Sequence, residues 1–218
     1  MRLGTSVRIC LALLFAVSPA SVGAQQTVVV RAATVLDGRG AKWADRDVVI
    51  RDGVIVAIEA GGSVAGDVRY DLGDLTLMPG LIDTHVHIGW HFDRETDKTH
   101  SGRVEETAED AALYAAANAW QTLRGGVTTA LSLGAGVDIP LREAIASGQV
   151  PGPRILTSIQ AVTARTGSPA EIRQHVDRMA ELGADAIKIF ASGSIRDGGV
   201  PTLSQAQLDA ACGQIGRA

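Results

Sequence analysis

The sequence predicts an α/β fold: a small β-rich segment at the N-terminal side, then parallel βα units. Three observations carry this reading. Short β-type runs broken by turn signals extend to residue 77, strand and helix patterns then alternate four times, and the helices are bounded by capping residues. Alternation of this kind suits either a closed barrel or a doubly wound sheet, because each crossover returns a strand parallel to the one before.

The first 24 residues are read separately. Arg2 and Arg8 precede an apolar run from Ile9 to Val17, and small residues follow through Ala24. That tripartite pattern predicts a cleaved export signal and a secreted or periplasmic protein with no membrane association after cleavage. The run is too short for the ~20 residues of a bilayer span. Cys10 would leave with it, so Cys212 alone remains and no intramolecular disulfide is expected.

Residues 25–77 are predicted to form a small β-sandwich domain. Its strands are Thr27 to Val30, Asp47 to Arg51 and Val54 to Glu59, the last two joined by Asp52-Gly53. Asp-Gly between β-branched residues favours a type I′ hairpin, which needs positive φ at both central positions.

Residues 78–218 are predicted to hold the βα units. Leu81 to Ile88 reads as the first strand, Glu105 to Leu123 as an Ala-rich helix ending at Gly125-Gly126, and Val127 to Leu133 as the second strand. A short helix from Ile139 to Ser147 and a third strand from Arg154 to Val162 follow. Ser168, Pro169 and Glu171 open the next helix with a capping box, and Gly183 closes it. Ala186 to Ala191 is the fourth strand. Ser204 and Gln207 cap a last helix, with Leu203 and Leu208 placed for a hydrophobic staple. About 140 residues follow the β-rich segment, against about 250 in an eight-unit barrel, so a barrel reading is truncated after about four βα units.

Composition narrows the function. The formal net charge is −4 with no long basic run, which argues against a nucleic-acid footprint, since phosphate binding needs clustered Lys and Arg.

His85 and His87 stand at i and i+2 near the end of the first strand, so their imidazoles share one side of the sheet. Strand C-termini are where barrel enzymes keep their sites, and neutral imidazole is a good ligand for Zn²⁺. A bare His-x-His pair also serves as ordinary hydrogen-bonded structure. Asp83 is expected to share the face of the pair, either orienting a histidine or bonding within the core. His91 and His100 are expected to be exposed, as is His175 in mid-helix. The segments 161–164 and 192–194 follow the third and fourth strands and would line the mouth of a site or be plain loops.

The run Leu77-Met78-Pro79-Gly80-Leu81-Ile82-Asp83-Thr84-His85-Val86-His87 resembles the first-strand signature of the amidohydrolase superfamily. Val54 to Ile58 and Asp71-Leu72-Gly73 resemble its small sandwich domain, and the surroundings of Lys188 and Gly152-Pro153-Arg154 are most similar to the branch of imidazolonepropionase-like hydrolases and Xaa-Pro dipeptidases. The resemblance implies the first half of a TIM-like (β/α)8 barrel holding one or two divalent ions, zinc being the expected metal, with His85 and His87 as ligands. It also implies that Lys188 reacts with CO₂ to give a carbamate bridging two metals. The ordinary reading of Lys188 is a packed stem with its ammonium in water. Carboxylation would turn a cation that repels a metal into an anion that binds it.

By the same resemblance the reaction is hydrolysis of a carbon–nitrogen bond in a small, dipeptide-like substrate. The remaining metal histidines and the catalytic aspartate belong to later strands, so no catalytic residue is expected within this chain, which is predicted inactive alone. Two alternatives remain: a non-catalytic half-barrel that needs a partner chain or a second copy, and a mononuclear deaminase of the same superfamily.

Overall fold

The computed structural model of the protein describes residues 26–93, 98–99 and 106–216. The expected export signal and His100 lie outside these residues. The chain divides into two compact units between Pro79 and Gly80.

The first unit is one mixed sheet. Strands β1 (Thr27–Leu36), β2 (Lys42–Arg51) and β3 (Val54–Ala60) are antiparallel neighbours, while β4 (Val68–Asp71) and β5 (Thr76–Leu77) run parallel to β1. The expected sandwich has no separate second layer among the described residues. The reason is the pairing: β4 and β5 follow one another along the same edge of β1, so they extend its sheet. The Asp52-Gly53 turn has φ of 50° and 74° at its two residues, the positive values the dipeptide predicted. Ala32, Val35 and Val48 form the core of this unit. Within it Asp47 is fully buried and bonded to Arg69 at 2.9 Å.

The second unit begins with β6 (Leu81–Val86). A short antiparallel pair follows, β7 (Phe92–Asp93) with β8 (Lys98–Thr99), and then α1 (Ala108–Arg124), β9 (Val127–Ser132), α2 (Asp138–Ala146) and β10 (Arg154–Thr157). β6, β9 and β10 lie side by side in parallel, in chain order. Helix α3 (Pro169–Glu181) and α4 (Gln205–Ile215) complete it.

Local chemistry explains the helix ends. Thr107 caps α1 through the amide of Asp110, and Gly126 at φ 89° takes the chain out of that helix. Both predicted capping boxes form, Ser168 with Glu171 and Ser204 with Gln207. Ile88, Ala115, Ala119, Ala130, Leu141 and Ile155 fill the space between the sheet and its first two helices. Ile172, Val176, Ala210 and Ala211 make a second core with Val162 and Leu203, and Leu208 packs against it.

Two strand expectations are corrected. The third strand ends at Thr157, because Ile159 adopts φ 56° and turns the chain aside. The fourth is not a regular strand. Asp185 N–H donates to Thr157 O (2.8 Å), but residues 158–161 then loop out, and pairing resumes only at a single bridge between Val162 and Ile189. A ladder needs equal spacing on both sides, and the loop removes it.

Candidate metal centre

β6 approaches β9 closely at its start, where a side chain on Gly80 would collide with Thr128. The strand delivers His85 and His87 near and just past its C-terminal end. Their ring centroids are 5.6 Å apart with planes at 68°. His85 is exposed and His87 partly buried. Asp83 Oδ1 accepts the His85 amide at 3.0 Å. The register shifts between Asp83 and Val86, which interrupts the strict alternation that put Asp83 on the histidine face; the carboxylate fixes the backbone of His85.

His87 is seated from several sides. Its carbonyl accepts the Trp90 amide (2.9 Å), closing a turn that lays the indole on the imidazole, with centroids 3.9 Å apart and planes 9° from parallel. Burial lowers the His87 pKa, the electrostatic influence of His85 and Lys188 lowers it further, and Asp138 opposes them. The imidazole is therefore neutral at pH 7, the state in which nitrogen can donate to a metal.

Lys188 is partly buried beside the Val162–Ile189 bridge. Its carbonyl accepts the Val162 amide at 2.8 Å, and its Nζ lies 5.1 Å from the centre of the Phe190 ring. Lys188 is one of the charges that lower the His87 pKa.

The donor chemistry fits a borderline divalent ion in part. Two imidazoles supply nitrogen donors, whereas a catalytic zinc takes three protein ligands. Among the described residues no group of three or more His, Cys, Asp or Glu is placed to hold a metal. Lys188 as an ammonium cannot complete the set, and only loss of its charge would make it a ligand.

Asp138, the first residue of α2, was missed by the sequence reading, which began that helix one residue later. It is fully buried, and it accepts from Ser132 Oγ at 3.0 Å and Thr157 Oγ1 at 2.7 Å. Burial raises its pKa against the opposing pull of Thr157, Ser132, the Ala135 amide and His87. Its only sequence signal was an acid at a helix start after a Gly-rich turn.

Other expectations change. His91 is not exposed: only 7% of its side chain is accessible, it stacks on Tyr114 at 3.6 Å, and its Nδ1 faces Glu106 Oε1 at 3.5 Å. His175 is buried with Ile172, Val176 and Met179 on the inner face of α3, its Nε2 3.3 Å from Gln160 O. Ala161 and Thr163 line a cavity of about 580 Å³ that His175 and Arg178 also border. In the other loop Ser194 Oγ accepts the Arg196 amide. Beside the strand ends, a cavity of about 420 Å³ is bordered by Gly89, Trp90, Glu106, Gly134 and Val137.

The family model described as Amidohydrolase family matches residues 76–214. An adenine deaminase of Methanoregula boonei is 39% identical over 71 residues, 32% of this chain and 12% of that protein. The ochratoxinase of Aspergillus niger is 27% identical over 152 residues, 68% of this chain and 31% of the relative. Among solved structures, a Xaa-Pro dipeptidase with methionine bound in its active site superposes with a TM-score of 0.76 at 26% identity, covering 88% of this chain and 54% of that one. The chain thus spans about half the length of that structural relative, and less of the two sequence relatives.

Proposed function

The chain belongs to the amidohydrolase family, and from that premise we propose that the protein hydrolyses a carbon–nitrogen bond, amide or peptide-like, with His85 and His87 as part of the ligand set of a divalent ion, zinc in the first instance. The observation that carries this is the part-buried His87 beside His85 at the end of the first parallel strand. When bound, the ion would lower the pKa of water toward neutrality and polarise the scissile carbonyl.

In this reading each residue has a task. Trp90 and the Asp83–His85 amide bond restrict the two imidazoles before metal arrives. Lys188 is the proposed site of a CO₂-derived carbamate: its neutral amine attacks CO₂, forming an N–C bond and releasing one proton. The carbamate would serve one or two ions. The proposed substrate is a small dipeptide-like or N-acyl amino acid, a class supported by the Xaa-Pro dipeptidase and ochratoxinase likenesses. Residues 1–24 are proposed to be an export signal, placing the protein in the periplasm or outside the cell.

The chain alone is proposed to be inactive, because the described residues bring no group of three or more His, Cys, Asp or Glu together to hold a metal. The test is zinc-dependent hydrolysis of a panel of N-acyl amino acids and X-Pro dipeptides by the purified chain. Turnover that disappears in His85→Ala would overturn the inactivity claim.

Two further readings have support. Similarity to an adenine deaminase favours deamination; we pair that reading with a single metal and an unmodified Lys188, which intact mass spectrometry without a labile CO₂ addition would support. Association with a second copy or partner chain is favoured by exposed apolar groups on β6 and beside Lys188, with Leu81 49%, Ile82 69% and Phe190 47% accessible. A monomer by light scattering would count against association.

A further inference from the structure

A carboxylate with no access to water is costly unless donors use its lone pairs. Asp138 meets that demand with two hydroxyls, and each hydroxyl also takes a backbone amide. Ser132 Oγ accepts from Ile88 N–H at 3.3 Å and donates to Asp138; Thr157 Oγ1 accepts from Ile159 N–H at 2.9 Å and donates to the other oxygen. A hydroxyl has a single proton. Pointing it at the carboxylate leaves a lone pair for the amide, so Asp138 fixes the sense of both chains.

Ile88 directly follows His87, and Ile159 is the residue at which the chain leaves β10 with positive φ. One buried group therefore holds the ends of β6, β9 and β10 from the first residue of α2.

We propose that Asp138 is a positioning residue for the metal centre, acting through Ser132 on the Ile88 amide and so on the backbone that aims His87. This rests on the metal reading of His85 and His87 above. Asparagine makes the role separable from packing. It keeps the shape, but its amide nitrogen donates where a carboxylate oxygen accepts, so the hydroxyl facing that nitrogen must turn its proton away and accept from both the side-chain and the backbone amide, which loosens its hold on the backbone. Removing a buried charge meanwhile relieves the desolvation cost, which protects the fold.

The test uses the full chain with Co²⁺ alone as the probe, measured by competition with a chelating dye, alongside thermal unfolding. Asp138→Asn and Ser132→Ala are each expected to weaken Co²⁺ binding about tenfold or more, the loss typical when a partner behind a ligand is removed. The double variant should lose no more than the worse single, because both act along one path. Thr157→Val, whose path leads to Ile159, should weaken Co²⁺ binding less, although Ser132→Ala and Thr157→Val each remove one donor from the buried carboxylate and should lower the unfolding temperature by similar amounts. Binding unchanged within twofold in both single variants would overturn the proposal, as would losses that multiply in the double. Should Asp138→Asn fail to fold, Ser132→Ala decides by the same criterion. Co²⁺ binding that survives His85→Ala and His87→Ala, or no binding by the parent chain, would remove the metal reading itself, an outcome distinct from binding that depends on the histidines and ignores Asp138.

Discussion

His87 lies flat against Trp90, with ring centroids 3.9 Å apart and planes 9° from parallel. The turn that makes this contact is closed by the Trp90 amide on the His87 carbonyl, so ring and backbone restrain the same imidazole. Stacked aromatic pairs contribute about 0.5–1.5 kcal/mol beyond their buried area. Trp90→Ala is therefore expected to weaken Co²⁺ binding roughly two- to tenfold, the equilibrium equivalent of that energy, and Trp90→Phe to recover most of it. Equal affinity in the parent and the alanine variant would show that the stack does not position the ligand.

In the first unit Asp47 is fully buried and Arg69 about one-third accessible, joined at 2.9 Å. Burial pushes the Asp47 pKa up, but Arg69 and the amides of Gly62 and Val64 outweigh it and leave the carboxyl below its ordinary value. A depressed folded-state value adds stability above the unfolded value near 3.8 and loses it as pH falls through the folded one. Asp47→Ala is expected to cost about 2 kcal/mol at pH 7, less than a fully buried pair because Arg69 meets water. Urea unfolding at pH 7 and pH 3 checks this: the gap between parent and variant should narrow at the lower pH.

The features written in contiguous residues were legible beforehand. A capping box needs only Ser168 and Glu171 three positions apart, and Asp52-Gly53 needs only its own φ preferences, so both formed as expected. His85 and His87 were visible for the same reason. What failed depended on partners distant in sequence. The fourth strand assumed a straight neighbour, and the turn at Ile159 removed it. His175 in mid-helix reads as a surface residue, although Ile172, Val176 and Met179 mark its face as the inner one. Asp138 draws its importance from Ser132 and Thr157 on two strands, which no local pattern joins to it.

Asp185 replaces part of the missing ladder. Its Oδ2 accepts the Thr157 amide and an Arg142 guanidinium hydrogen, both at 2.9 Å, and Arg142 also donates to Gly183 O at 2.9 Å. This clamp sets the start of the segment that carries Lys188. Asp185→Ala removes an acceptor shared by a backbone amide and a cation, and is expected to destabilise by about 1–2 kcal/mol, reduced from the buried-pair range by the exposure of both side chains. Hydrogen exchange should show faster loss of protection at Asp185 and Val162 than at β9; uniform loss would mean that the clamp is not local.

The capping boxes of α3 and α4 are joined, and this makes their substitutions non-additive. Gln207 Oε1 accepts the Ser204 amide at 2.8 Å while its Nε2 donates to Gly167 O at 2.7 Å, the carbonyl next to Ser168. Ser168 in turn bonds Glu171, whose carboxyl is held below its usual value first by the Ser168 hydroxyl and then by its amide. Ser168→Ala and Gln207→Ala are each expected to cost about 1 kcal/mol, the usual loss for a helix cap. Because Gly167 links them, the double variant should cost less than the sum by about 0.5 kcal/mol or more, as contacting sites do. The Ser168→Ala effect should also shrink as pH falls below the ordinary value of 4.5 and through the lowered Glu171 one, because protonation of Glu171 already weakens the cap. Chemical denaturation of the four proteins of this cycle at pH 7 and pH 3 measures both quantities, and strict additivity would show that the two helix starts are held independently.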